Sequence, residues 1–348
     1  MTQETKTVYV PENAPTEGRT GLQDDPFREE SSAVSSKPLS IAVTMPTFRR
    51  PEGLGRLLDA VEKLEIPDNV DVRVVVCEND AEGRAGETLV NERIAAGYAL
   101  PLECVVSDER GISQARNALI ARTIDEGDCD YIAMIDDDEW PSPGWLRALV
   151  DVSLKTGAHI SGGPVVSVFA DENADPVVKE CEDFQRLSYP TGEIAVVHST
   201  ANVLLRRDVF ELSGRPPFNP IFSVTGGGDA DFFYRVKAAG GKFAWSDDAE
   251  VTELVPETRS TRAWVMRRNF RRGANTSWRA LRRSGRHRTL PRLFVLGTGA
   301  IVTYPFAALS PSAKTRFNAK LRLWRTFGYI SGGLAQRRID DYKIIHGK

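Results

Sequence analysis

From residue 39 onward, short apolar runs alternate with stretches in which apolar side chains recur every three or four positions. Ser40-Ile41-Ala42-Val43-Thr44-Met45 is apolar up to Pro46, which predicts a buried strand followed by a loop. Leu54, Leu57, Leu58, Val61 and Leu64 then repeat at helical spacing. The alternation continues with strands predicted over 72–77, 102–106 and 131–135, and helices over 84–96 and 112–123. Strands alternating with helices imply an α/β fold, a mostly parallel sheet with helices on both faces. Ligands of such sheets gather at the carboxyl ends of the strands. The polar segments fall there: Pro46-Thr47-Phe48-Arg49, Glu78-Asn79-Asp80, Asp108-Glu109-Arg110-Gly111 and Asp136-Asp137-Asp138.

The second half is less regular. Strands are predicted over 160–169 and 194–205, and a helix over 230–239 entered through Gly226-Gly227-Gly228-Asp229. Residues 1–38 hold four prolines and many Ser, Thr and Glu without apolar periodicity, and read as a disordered leader. With a catalytic unit over 39–256, a third region over 257–348 completes the expected organisation.

Charge divides the chain at the same place. Residues 1–255 carry 24 Lys/Arg against 45 Asp/Glu, and residues 256–348 carry 21 against 3, so the formal net charge of −3 hides two opposed halves. The basic part calls for an anionic partner. Its first 37 residues hold 12 Lys/Arg, residues 293–313 hold none, and the remainder holds nine. An uncharged stretch of 21 residues would rise ~31 Å as a helix, the thickness of a bilayer. Basic flanks on both sides argue against a simple span and for an in-plane or re-entrant insertion on anionic lipid. A buried helix covering the first half is the alternative. No nucleic-acid motif accompanies the arginines. No secretory signal is visible, and four scattered cysteines suggest a reducing compartment, so a cytoplasmic protein, peripheral or monotopic at the inner face of the cell membrane, is expected. Truncation after Gly273 is expected to leave a soluble, donor-binding remainder.

Three segments carry candidate chemistry. Asp136-Asp137-Asp138-Glu139 follows a buried strand, and adjacent carboxylates are costly to desolvate without a cation. On extended backbone Asp136 and Asp138 share a face, and hard oxygen ligands suit Mg²⁺ or Mn²⁺ bridging a diphosphate. A solvated acidic turn is the other reading. Gly226-Gly227-Gly228-Asp229-Ala230-Asp231 opens a helix, where Asp229 is either a cap or a reacting carboxylate. Arg110-Gly111-Ile112-Ser113-Gln114-Ala115-Arg116-Asn117 puts two arginines at a helix N-terminus, a weak anion-site signal.

Together with Thr44-Met45-Pro46-Thr47-Phe48-Arg49-Arg50 and Val76-Cys77-Glu78-Asn79-Asp80, these segments resemble glycosyltransferase family 2, over residues 40–273. Gly227-Gly228-Asp229, Glu253-Leu254-Val255-Pro256 and Arg267-Arg268-Asn269-Phe270-Arg271 are similar to the bacterial succinoglycan group of glucosyltransferases. The resemblance implies a GT-A fold and an inverting, metal-dependent transfer from a nucleotide-sugar, UDP-hexose first, to a lipid-linked or membrane-proximal glycan. It implies Asp136 and Asp138 as metal ligands, and Asp229 as general base with Gly228 where the family usually has Glu. It places Pro46, Thr47, Arg49, Asn79, Asp80, Arg110, Arg116, Asp136, Asp137, Gly227, Arg267 and Arg268 around the donor. Glu253 stands in for the C-terminal His ligand of many GT-A enzymes, because no His lies between His198 and His287. His198 itself reads as a structural strand residue. A nucleotide-sugar-binding regulator without catalysis and a metal-dependent phosphohydrolase remain rival readings.

Overall fold

The computed structural model describes residues 37–335 except 198, 224 and 225. The expected leader up to residue 36 and the reading of His198 lie outside the described residues. The elements are β1 (Leu39–Thr47), α1 (Pro51–Val61), β2 (Val70–Glu78), α2 (Ala85–Ala95), β3 (Leu102–Val106), α3 (Ile112–Ile120), β4 (Tyr131–Ile135), β5 (Glu139–Pro141), α4 (Trp145–Thr156), β6 (Ile160–Gly162), β7 (Val165–Phe169), α5 (Pro176–Lys179), β8 (Gly192–Ile194), β9 (Asn202–Arg206), α6 (Val209–Ser213), α7 (Gly228–Ala238), β10 (Phe243–Trp245), β11 (Val251–Val255), α8 (Arg262–Ala308) and α9 (Ala313–Ala335).

Eight strands form one sheet in the order β3-β2-β1-β4-β9-β6-β10-β8, and β5-β11-β7 form a small second sheet. Strands β1 to β4 run parallel, whereas β9 is antiparallel to both β4 and β6. The apolar runs are continuous because both faces of the large sheet are covered. Along β1, Ile41, Val43 and Met45 enter a core with Leu54, Leu57 and Leu58 of α1 and Trp145 of α4. Ala42 faces the other way, into a core with Leu119 of α3 and Phe232 and Phe233 of α7. The chain proceeds outward from β1 through β2 to β3, then returns to place β4 on the opposite side of β1. That reversal opens a crevice at the carboxyl ends of β1 and β4, the place where α/β sheets bind ligands.

Two predicted strands are each divided in the structure. The segment expected over 160–169 breaks at Gly163-Pro164 into β6 of the large sheet and β7 of the small one, because Pro164 has no N–H to donate to a ladder. The segment expected over 194–205 becomes β8 and β9, and Ser199 and Ala201 of the connection line the crevice. Apolar Ala195, Val196 and Val197 imitate a strand in that connection.

The basic region forms two long helices that share a core with the rest, so residue 256 is no boundary between separate cores. Phe317 and Leu321 of α9 pack with Val178, Phe184, Trp264 and Val265. Truncation after Gly273 would take Phe317 and Leu321 out of that cluster, and the expectation of an intact remainder is corrected accordingly. Helix α9 crosses α8 so closely that a Cβ added at Gly328 would lie 2.0 Å from the Phe270 carbonyl oxygen. Gly328→Leu is expected to destabilise the protein by about 1–3 kcal/mol or more, as overpacking does. Thermal unfolding checks this: an unchanged midpoint would mean that the crossing is loose.

Candidate active site

The crevice is built from loops that lock one another. The Asn79 backbone N–H donates to the Thr47 carbonyl at 2.9 Å, and Asn79 Oδ1 accepts from the Gly111 N–H at 3.1 Å. Glu78, fully buried, accepts from the N–H groups of Asp80 (2.8 Å) and Gly86 (2.6 Å). Thr47 Oγ1 donates to Asp137 Oδ2 at 3.0 Å, and the Phe48 N–H reaches the same oxygen at 3.4 Å. These bonds fasten the ends of β1, β2 and β4 to one another. The resulting cleft encloses about 500 Å³.

Asp136, Asp137, Asp138, Glu139 and Glu253 all line it, together with Arg50, Arg116, Arg259, Arg268 and Arg272. The three aspartates lie in the turn after β4 and are held by arginines, whereas Glu139 begins β5 and Glu253 lies in β11. Arg116, only 5% exposed, donates to Asp229 Oδ1 at 2.6 Å and to Asp136 Oδ1 at 3.2 Å, so one guanidinium joins two acids 93 residues apart in the chain. Arg50 Nη1 donates to Asp137 Oδ1 and to Asp138 Oδ2, both at 2.9 Å, and Arg259 reaches Asp138 Oδ2 at 3.2 Å. Burial dominates the carboxyls' protonation. It lifts Asp137 to about 6 against the pull of Arg50, and raises Asp136 against the pull of Arg116. Burial, then the charges of Asp136, Asp138 and Glu253, push Glu139 well above the usual carboxylate range. An acidic cluster with this much uncompensated repulsion is a place for cations.

The arginines balance it unevenly. Arg272 pairs with Asp183 at 3.1 Å, a carboxylate whose side chain is 1% exposed. Arg268 makes no ion pair among the described residues. It lies over the rings of Trp264 (5.2 Å) and Phe184 (5.8 Å), and burial followed by repulsion from Arg272 lowers its guanidinium to about 10. The nearby charges of Asp183 and Glu253 offset this only in part, so an anion in the cleft would be attracted to Arg268.

Several expected residues sit differently from the sequence reading. Arg49 and Asp80 pair with each other at 2.6 Å, Arg49 half exposed, outside the cleft lining. Arg110 is exposed and lies 4.5 Å from the Phe48 ring centroid rather than in the cleft. Arg267 is exposed and does not line the cleft, because neighbouring side chains on a helix diverge by ~100°. Glu253 sits opposite Glu139 in the β5–β11 ladder, with Arg259 between it and Asp138 at 3.9 and 3.2 Å. It does not converge with Asp136 and Asp138, and no group of three acidic, His or Cys side chains among the described residues is arranged as a metal cage. Asp136 and Asp138 line the same cleft but bond different arginines, Arg116 and Arg50.

Pro46 and Asn79 line the cleft as expected. Asp229 is not a cap: the N-cap of α7 is Gly227, without a side-chain bond, and Asp229 joins the cleft through Arg116. Gly227 (φ 92°) lies so close to Arg279 that any Cβ there would overlap the guanidinium. Sequence reasoning did not single out Arg50, Arg259, Arg272 or Glu139. For Arg272 a signal existed, because it follows Arg268 by four residues and so shares its helix face. Arg50 and Arg259 reach the acids only through tertiary packing.

Comparison with known proteins agrees with this geometry. Residues 42–212 match the family model described as Glycosyl transferase family 2. The chain is 33% identical over 311 residues to "Succinoglycan biosynthesis protein ExoM" of Rhizobium meliloti (strain 1021), covering 88% of this chain and 97% of the relative. Among solved structures, "Mannosyltransferase PcManGT from Pyrobaculum calidifontis in complex with GDP-Man and Mn2+" superposes with a TM-score of 0.55 at 16% identity, over 87% of this chain and 89% of that one, a likeness of fold. With its central sheet, flanking helices and crevice at the carboxyl ends of β1 and β4, the chain has a GT-A fold and belongs to glycosyltransferase family 2.

Proposed function

We propose that the protein is an inverting, metal-dependent hexosyltransferase of exopolysaccharide biosynthesis, moving a sugar from a nucleotide-sugar, UDP-hexose first, to a lipid-linked or membrane-proximal glycan. One observation carries the reading: a single cleft at the topological switch point gathers Asp136, Asp137, Asp138 and Arg268, with Asp229 tied in by Arg116. The name of the Rhizobium relative supports the polysaccharide setting.

The donor set suits a hard divalent cation, Mn²⁺ or Mg²⁺. All candidate ligands are carboxylate oxygens, and such ions take one or two carboxylates and complete their shell with water and phosphate. Asp136 and Asp138 would hold it, and the ion would supply positive charge to the diphosphate. The residues of the chain account for the remaining chemistry. Arg268 and Arg272 face the charge that builds on the departing nucleoside diphosphate. Arg116 fixes the position of Asp229 beside the cleft through the bond to its Oδ1. Asp229 takes that proton from an acceptor hydroxyl, whose oxygen bonds to the anomeric carbon as the bond to the diphosphate breaks. One displacement inverts the configuration.

Incubation with Mn²⁺ and a panel of nucleotide-sugars, with and without lipid extract, tests the reading. Nucleotide release that requires the extract is expected. Release without any acceptor would make the protein a phosphohydrolase, and binding without release a regulator.

The protein docks at the inner face of the cell membrane through the second half of α8, as a peripheral or monotopic enzyme. His287–Ala308 is long and apolar enough to cross a bilayer, and it is barely buried: Val295 is 68% exposed, Val302 62% and Phe306 75%. This favours lipid contact over the alternative of a helix buried against the fold. Full-length protein is expected to sediment with anionic vesicles, less so at high salt because basic side chains contribute ~1 kcal/mol each near the surface. Val295→Glu with Phe306→Glu is expected to leave the protein in the supernatant. Equal sedimentation of both proteins would refute the docking face.

A further inference from the structure

The region that carries the exposed apolar face also contains an open groove. Between the second half of α8 and the facing stretch of α9 runs a groove of about 530 Å³, walled by Leu290, Leu293, Phe294 and Ile301 on one side and Tyr329 and Ile330 on the other. Gly297 and Gly333 leave part of its wall without side chains. The volume falls in the ~300–1,000 Å³ range of pockets that enclose a small-molecule ligand. Among the described residues, no charged side chain lines it.

Its position on α8 indicates what it holds. The same helix runs from the cleft wall to the groove. Arg268 and Arg272 line the cleft. Arg279 lies against Gly227 of the glycine motif, and Arg283 donates to Asp231 Oδ1 at 3.1 Å in the same motif. The helix then bends at Gly285, the one residue inside α8 with non-helical angles (φ 68°, ψ 173°), and the groove begins at Leu290. Arg282, stacked on Trp278 at 5.1 Å, and Arg288 are exposed on the approach. Cationic side chains leading from the motif of Asp229 into an apolar groove complement one kind of molecule: an anion at one end and a hydrocarbon at the other. Bulk bilayer lipid is satisfied by the convex outer face, where Val295 (68%) and Val302 (62%) stand exposed. A concave groove between two helices instead selects a single chain.

We propose that this groove seats the hydrocarbon tail of a phosphate-linked lipid, the carrier of the acceptor glycan, with its phosphates toward the α8 arginines. The proposal rests on the transferase reading and adds to it the chemical class of the acceptor's anchor. Docking on the membrane and holding one carrier lipid are thereby separate tasks of two faces of the same helix.

Binding of farnesyl diphosphate, inorganic pyrophosphate and farnesol to the full-length protein, followed by titration calorimetry below the aggregation concentration of the lipids, tests it. Farnesyl diphosphate is expected to bind at least ~10-fold more tightly than pyrophosphate, and also more tightly than farnesol, since head and tail both contribute. Ile301→Trp, which fills the groove, is expected to remove most of the advantage over pyrophosphate. Val302→Trp, which adds the same bulk outside the lining, should keep it. Ile330→Trp at the half-exposed rim provides a second filling variant should Ile301→Trp unfold. Equal affinity for farnesyl diphosphate and pyrophosphate would overturn the proposal. So would equal losses at positions 301 and 302, or a dimer dissociated by Ile301→Trp, which would make a second copy the occupant. UDP-hexose binding is measured in parallel without any transfer step. Loss of donor binding with the tail effect intact would therefore overturn the transferase reading and leave the groove standing.

Discussion

Asp229→Asn is expected to reduce turnover by ~10²-fold or more while donor affinity stays near the wild-type value, the usual weight of a general base. The substitution is nearly isosteric, and the amide oxygen can still accept from Arg116, whose present bond to Asp229 is 2.6 Å. Helix α7 loses nothing at its start, because its N-cap is Gly227 and Asp229 makes no capping bond. What the amide cannot do is take a proton. The same Arg116 also holds Asp136 at 3.2 Å, so a variant that disturbed this cation would weaken donor binding along with turnover. Steady-state kinetics beside donor calorimetry separates the two. Turnover at the wild-type rate would reduce Asp229 to a partner for Arg116.

Asp136→Ala and Asp138→Ala are expected to abolish metal-dependent donor binding, since each removes one of two carboxylates offered to the cation. Their side effects differ in a way the structure defines. Asp136→Ala leaves buried Arg116 with Asp229 as its remaining carboxylate partner, and a buried cation that loses a partner costs stability. Asp138→Ala leaves Arg259 with Glu253 and Arg50 with Asp137, so each arginine keeps a carboxylate and Asp138 itself is partly exposed, and its effect on stability should be smaller. Titration of the donor with and without Mn²⁺, alongside thermal unfolding, reads both quantities. Donor affinity that depends on Mn²⁺ as strongly in both variants as in the wild type would remove the metal from these residues.

The first half of the fold was legible because its residues obey local rules. The runs over 102–106 and 131–135 coincide with β3 and β4, and the helical repeat begun at Leu54 coincides with α1. Both faces of this sheet are covered, so each strand reads as unbroken apolar sequence and each helix as a stripe. Beyond residue 156 the strands shorten to between three and five residues, too few for periodicity to show where one ends. Pro164 divided one predicted strand between two sheets, and the cleft-lining connection around Ser199 was hidden inside another.

The candidate site divides along the same line. Order along the chain determined that Thr47, Asn79, Arg116 and Asp136-Asp137-Asp138 would meet, since each follows or faces the carboxyl end of a neighbouring parallel strand. Helical geometry, had it been applied to residues 267–272, would also have chosen Arg268 with Arg272 over Arg267. Only the tertiary structure decided that Arg116 would join Asp136 to Asp229, that Arg50 and Arg259 would hold Asp138, and that Glu253 would lie behind Arg259. The basic tail shows the difference most plainly. Its charge and its apolar stretch were set by composition alone, as one basic, apolar-centred region. That α9 returns to complete the core around Trp264 while residues 287–308 stay uncovered depends on the crossing at Gly273 and Gly328. A sequence records which side chains are able to be buried, but which of them are buried is settled by the surfaces that other elements bring to meet them.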